Sequence, residues 1–146
     1  NHVHLLIRCN DEYNLAKFLQ KLFVGYTMYF NAKHQRKGVL FESGSKSKHV
    51  FDHRYLAHVI NYIHLNPLDY TMPEWRQRGI KSPEKAKQLL ASYQFSSIHG
   101  ALKQKDDPII DTNLIDELFQ NPKELLVSAL EWSSEIFEEN SDLLIE

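Results

Sequence analysis

At 146 residues the chain is long enough for one domain with a real core, and 42% hydrophobic with 25% charged residues excludes wholesale disorder. The net charge of −2 hides an asymmetry: residues 1–105 carry 16 of the 17 Lys and Arg and 7 of the 19 Asp and Glu, whereas residues 106–146 carry one and 12. A cationic body with an acidic tail fits an anion binder, nucleic acid first, and fits equally a solvated surface that ends in acidic helices.

The chain opens on Asn1-His2-Val3-His4-Leu5-Leu6-Ile7, which reads as a strand running to Cys9. Nothing ahead of it resembles a signal peptide, and so abrupt an opening points to a missing upstream piece. Cys9 is the sole cysteine, so no disulfide framework exists and a reducing, cytoplasmic setting fits. After a turn at residues 10–13, Leu15, Phe18, Leu19, Leu22, Phe23, Tyr26 and Phe30 recur at helical steps and predict an amphipathic helix from Asn14 to about residue 31. A basic loop follows with Lys33, His34, Arg36 and Lys37. Val39–Glu42 and His49–Phe51 read as two strands of a hairpin whose tip carries Lys46 and Lys48.

Asp52 suits the N-cap of a helix that runs to Leu65 and stops at Asn66-Pro67. Residues 68–82 are loop-rich, and Ser82-Pro83-Glu84 starts a short helix through Leu90. The segment from Tyr93 to Leu102 is polar and aromatic. A boundary falls at Lys103 to Pro108, and two acidic amphipathic helices follow, split by Asn121-Pro122. No apolar stretch approaches the ~20 residues of a membrane span, so no membrane partner is expected. No internal repeat appears.

The chemistry concentrates in two pairs. On a strand His2 and His4 share a face. On a helix Tyr62 and Asn66, four apart, share another. Together they are able to present two imidazoles, an amide oxygen and a phenol to one point, a set that suits a divalent metal beside a nucleophile for phosphodiesters. Singly, each has a plainer reading: a strand histidine pair, a core aromatic, and a helix-terminal Asn before proline. His53, His58, His64 and His99 lack a partner pattern and read as surface or partly buried side chains. Gly-rich phosphate loops, Gly-x-Ser-x-Gly, His-Glu-x-x-His, CxxC pairs and paired catalytic carboxylates are all absent.

Asn-His-Val-His-Leu-Leu at 1–6 followed by Tyr-Ile-His-Leu-Asn-Pro at 62–67 resembles the HUH tyrosine transposases of the IS200/IS605 type, closest to the REP-associated tyrosine transposases. Tyr29-Phe30-Asn31, Gly38-Val39-Leu40-Phe41-Glu42 and Tyr93-Gln94-Phe95-Ser96-Ser97 resemble intervening and following segments of that branch. The resemblance covers roughly residues 1–102 and implies two regions, an HUH/Y1 transposase-like catalytic domain at 1–102 and an acidic helical tail at 103–146. It implies a ferredoxin-like α+β sandwich with a central antiparallel sheet that carries the histidines. The family places a strand and a helix ahead of its His-x-His strand, so the domain is expected to be N-terminally incomplete, with an exposed sheet edge.

Carried over residue by residue, His2, His4 and Asn66 would hold a divalent metal, Mg²⁺ or Mn²⁺, and Tyr62 would be the nucleophile. The implied activity is cleavage and rejoining of hairpin-bearing single-stranded DNA through a 5′-phosphotyrosine, by a monomer or homodimer. Lys46, Lys48, Arg54, Arg36 and Lys37 are candidate DNA contacts and equally ordinary solvated charge. Trp75, with Arg76 and Arg78, is a candidate for stacking on bases of a hairpin end. Two further readings stand beside this one: a catalytically inert DNA-binding remnant, and an interaction module unrelated to nucleic acid. A tail folded over the cationic surface would compete with DNA, so its removal is expected to strengthen binding.

Overall fold

The computed structural model describes residues 2–9, 12–42, 44–102 and 109–139. The chain forms two compact units, residues 1–49 and 50–146. Among the described residues there are seven α-helices and one 3-10 turn, and no strand. The expected α+β sandwich with its antiparallel sheet is therefore overturned. Alternating apolar residues such as Val3, Leu5 and Ile7 specify only which side chains share a face. The N–H and C=O groups of a strand are satisfied by a second strand, whereas a helix satisfies its own. Residues 2–9, 39–42 and 44–51 find no such ladder among the described residues and adopt no regular structure. The hairpin expected at 39–51 is absent for the same reason.

In the first unit, α1 spans Glu12–Lys33. It closes with the Arg36 N–H on the Asn31 carbonyl at 3.0 Å, with Gln35 in the left-handed region at φ 51°. The basic loop is then tied back by Asn31 Nδ2, which donates to the Gly38 carbonyl at 2.8 Å, and Arg36, which donates to the Val39 carbonyl at 3.2 Å. Gly38 sits at φ 95°, a backbone that a Cβ would strain. Phe41 then lies against Phe23, with ring centroids 4.8 Å apart. None of the described residues of this unit is buried, and Val3, Val24, Met28 and Tyr29 are more than half exposed.

The core lies in the second unit. Its elements are α2 (His53–Leu65), a 3-10 turn (Asn66–Tyr70), α3 (Trp75–Arg78), α4 (Pro83–Ser92), α5 (Ser97–Leu102), α6 (Thr112–Phe119) and α7 (Pro122–Glu139). Asp52 caps α2 as the sequence implied, its carboxylate accepting from the N–H groups of Arg54 at 2.7 Å and Tyr55 at 3.3 Å. Those bonds, with the nearby Arg54 and His53 charges, hold its carboxyl below the usual carboxylate range. Asn121 caps α7 in the same way through the N–H groups of Lys123 and Glu124.

Helix α7 packs on α2, α3, α4, α5 and α6. The reason is its stripe of Leu125, Leu126, Ala129 and Trp132, all buried, while Glu124 and Glu131 stay outside. Two polar ties join α7 to α2: Asn61 Nδ2 donates to Ser128 Oγ at 3.3 Å, and the Trp132 indole N–H donates to His58 Nδ1. Residues 112–139 are thus not a detached acidic arm. They close the core over α2, with Asp116, Glu117, Glu124 and Glu131 exposed. The boundary expected at Lys103 to Pro108 lies outside the described residues.

Candidate functional site

The histidine pair lies in the first unit. His2 and His4 turn their rings to the same side, centroids 4.5 Å apart, and their Nε2 atoms approach to 2.8 Å. Two cis ligands at a metal–nitrogen distance of about 2.1 Å and a right angle would hold their nitrogens roughly 3 Å apart. The bite of the pair therefore fits two positions on one cation. Among the described residues no group of three or more His, Cys, Asp and Glu gathers, so the pair would depend on a ligand of another type. Two imidazoles are a nitrogen-rich set for Mg²⁺, which prefers oxygen, and Mn²⁺ or a later metal suits them better.

The tyrosine–asparagine pair lies in the second unit. Asn66 is the C-cap of α2, and its N–H bonds to the Tyr62 carbonyl. Its side-chain Nδ2 is buried without a hydrogen-bond partner. A buried amide left this way costs energy unless something completes it, and turning the amide over would place its oxygen there instead. As placed, Asn66 leaves an amide donor unsatisfied at the end of α2. Tyr62 is buried, with 9% of its surface exposed.

What surrounds Tyr62 was not legible in the sequence. The Arg76 guanidinium lies over the Tyr62 ring, 4.8 Å from its centroid, and 4.6 Å from the ring centre of Trp75. Asp69, on the 3-10 turn after α2, fixes it: Arg76 Nε donates to Oδ1 at 3.0 Å and Nη2 to Oδ2 at 2.9 Å. The Trp75 indole N–H adds a third bond to Asp69 Oδ1 at 2.7 Å. Trp75 is 3% exposed, so the expected stacking of this residue on DNA bases is corrected: its ring is core. Asp69 and Arg76 are seven positions apart across the turns at 71–74, and no periodic pattern announces such a pair.

His64, two residues after Tyr62, is buried, where a surface or partly buried side chain was expected. It donates from Nδ1 to the Ile60 carbonyl at 2.7 Å and accepts at Nε2 from the Ser97 hydroxyl at 2.8 Å. Burial pushes its pKa down, so it stays neutral. The Tyr-Ile-His-Leu-Asn-Pro segment and the Ser-Ser segment thus meet through one hydrogen bond.

The basic candidates fall in both units. Arg36, although exposed, is engaged with Val39 and with the Phe30 ring, 5.6 Å from its centroid. Lys37, Lys46 and Lys48 are exposed in the first unit, and Arg54 is exposed on the first turn of α2 in the second. No helix among the described residues is long and apolar enough to cross a membrane. No family model matches the chain, and neither a curated protein nor a solved structure does.

Proposed function

We propose that the protein is a single-tyrosine nuclease and ligase of single-stranded DNA, a transposase of the HUH type. The observation that carries this reading is the convergence of the His2 and His4 Nε2 atoms to 2.8 Å at the motif that resembles the family. His2 and His4 would contribute two ligands to a divalent cation, which when bound would polarise a phosphate and offset the charge that develops on it.

The chain's own residues supply the rest. A phenol with a reference pKa of about 10 is mostly protonated at neutral pH, so Tyr62 needs its proton removed as it reacts. Its oxygen forms a bond to the 5′-side phosphorus while the bond from phosphorus to the 3′ oxygen breaks. The phenolic proton passes through water to the departing oxygen, leaving a 5′-phosphotyrosine and a free 3′-hydroxyl. One phosphodiester replaces another, so attack by a second 3′-hydroxyl reverses the step without a nucleotide cofactor.

The test is a denaturing gel of the chain with labelled hairpin-bearing single strands, in Mn²⁺, in Mg²⁺ and in EDTA. A metal-dependent covalent band is expected, lost in Tyr62→Phe and in the His2→Ala/His4→Ala variant, with DNA retention by Tyr62→Phe largely unchanged. Salt-sensitive retention with no band under any metal would instead identify a catalytically inert DNA-binding remnant.

A further inference from the structure

We propose that Arg76, aimed by Asp69, is a phosphate-binding residue that seats the DNA backbone beside Tyr62. The inference rests on the reading of Tyr62 as the nucleophile. A guanidinium carries five N–H donors in a plane, with two edges that each match a pair of oxygens. Asp69 occupies the edge made by Nε and Nη2, at 3.0 and 2.9 Å. The far edge, Nη1 with the second hydrogen of Nη2, lies outside that pair. It is the part of the side chain furthest from the backbone, and the side chain keeps 22% of its surface in solvent. An oxygen pair of a phosphodiester matches that edge as the carboxylate matches the first.

Placement gives this edge its meaning. The guanidinium lies over the Tyr62 ring, 4.8 Å from its centre, so a phosphate it bound would be held close to that side chain. The stack is rigid, because Asp69 also accepts from the indole of buried Trp75, and the guanidinium rests on that ring as well. A cation held so tightly loses little conformational freedom on meeting its anion. Lys46 and Lys48 lie on a stretch without regular structure. The Asp69 carboxylate partly offsets the charge of Arg76, which favours exchange of successive phosphates over tight capture of one.

The experiment uses the full chain and a fluorescein-labelled single strand carrying a hairpin. Arginine modification by phenylglyoxal, located by mass spectrometry, is measured with and without the DNA. Arg76 is expected to react in the free protein and to be protected by the strand. Arg76 that is inert without DNA, or equally modified with it, overturns the proposal. Affinity is then measured against salt for Arg76→Gln, Arg76→Lys and Asp69→Asn. Loss of one phosphate contact in Arg76→Gln should weaken binding by about tenfold and reduce the log–log salt slope by about 0.7.

A purely structural pair predicts that Asp69→Asn and Arg76→Gln weaken binding alike. Phosphate binding predicts that Asp69→Asn, which keeps the cation but weakens its fork, lowers affinity clearly less than Arg76→Gln and leaves the salt slope near that of the parent. Arg76→Lys should keep the salt slope while losing the forked geometry. The adduct gel separates the two claims. A Tyr62 adduct without Arg76 protection leaves the nuclease reading and removes this one. Protection without an adduct removes the chemistry and leaves Arg76 as a backbone contact. No binding to the strand removes both.

Discussion

Tyr62 and His64 sit two residues apart on α2, and their environments are set by residues far along the chain: Arg76 for one, Ser97 for the other. For His64 the consequence is a pH dependence. The neutral ring is satisfied at both nitrogens, and burial lowers its pKa below the reference of 6.5. Below that reference the unfolded chain takes up a proton that the folded chain refuses, so stability falls as the pH drops. The loss begins near pH 6.5, has a limiting slope of about 1.4 kcal/mol per pH unit from this group, and levels off at the lowered folded pKa. Urea unfolding across pH 5–7 should show it, and His64→Gln should flatten the slope while lowering stability at pH 7. An unchanged slope would mean that His64 is not held neutral by its burial. The sequence marked His64 only as one histidine without a partner pattern, because its partners are a carbonyl one turn back and a hydroxyl 33 positions on.

At the scale of elements, helices and caps were readable because their determinants are local. The α1 periodicity, the Asp52 cap, the Pro83 start of α4 and the break at Asn121-Pro122 between α6 and α7 all have their structural counterparts. Each rests on groups within a turn or two of one another. The strand readings had no such closure. His2 and His4 do share a side, as alternation implies, yet no ladder forms around them among the described residues. The two acidic helices carry the energetic weight that composition concealed. Trp132, 6% exposed and bonded to His58, anchors α7 against α2. Trp132→Ala should cost about 3–5 kcal/mol, as cavity-forming changes at large aromatics do. A loss under about 1 kcal/mol in urea unfolding would place the anchor of α7 elsewhere.

For the whole molecule, charge read along the chain suggested a cationic body and an acidic appendage, but the core is built from both sides of that division. Ile115, Phe119, Leu125, Leu126, Ala129 and Trp132 lie in the acidic part and bury with Ile60, Leu65, Leu68 and Leu90. A chain ending at Lys105 should therefore lose the cooperative unfolding of the second unit. The stronger DNA binding expected from deletion of a masking tail should not appear. A truncated chain with a sharp melt close to that of the full chain would show that α6 and α7 are dispensable to the fold. What the sequence determined by itself was whatever depends on neighbours in the chain: helix positions and their caps. Tertiary structure alone decided that no sheet forms among the described residues, that Trp75 is core, and that Asp69 aims Arg76 at Tyr62. Those outcomes depend on groups brought together across long stretches of chain, where hydrogen-bond satisfaction and burial are settled by packing and not by spacing.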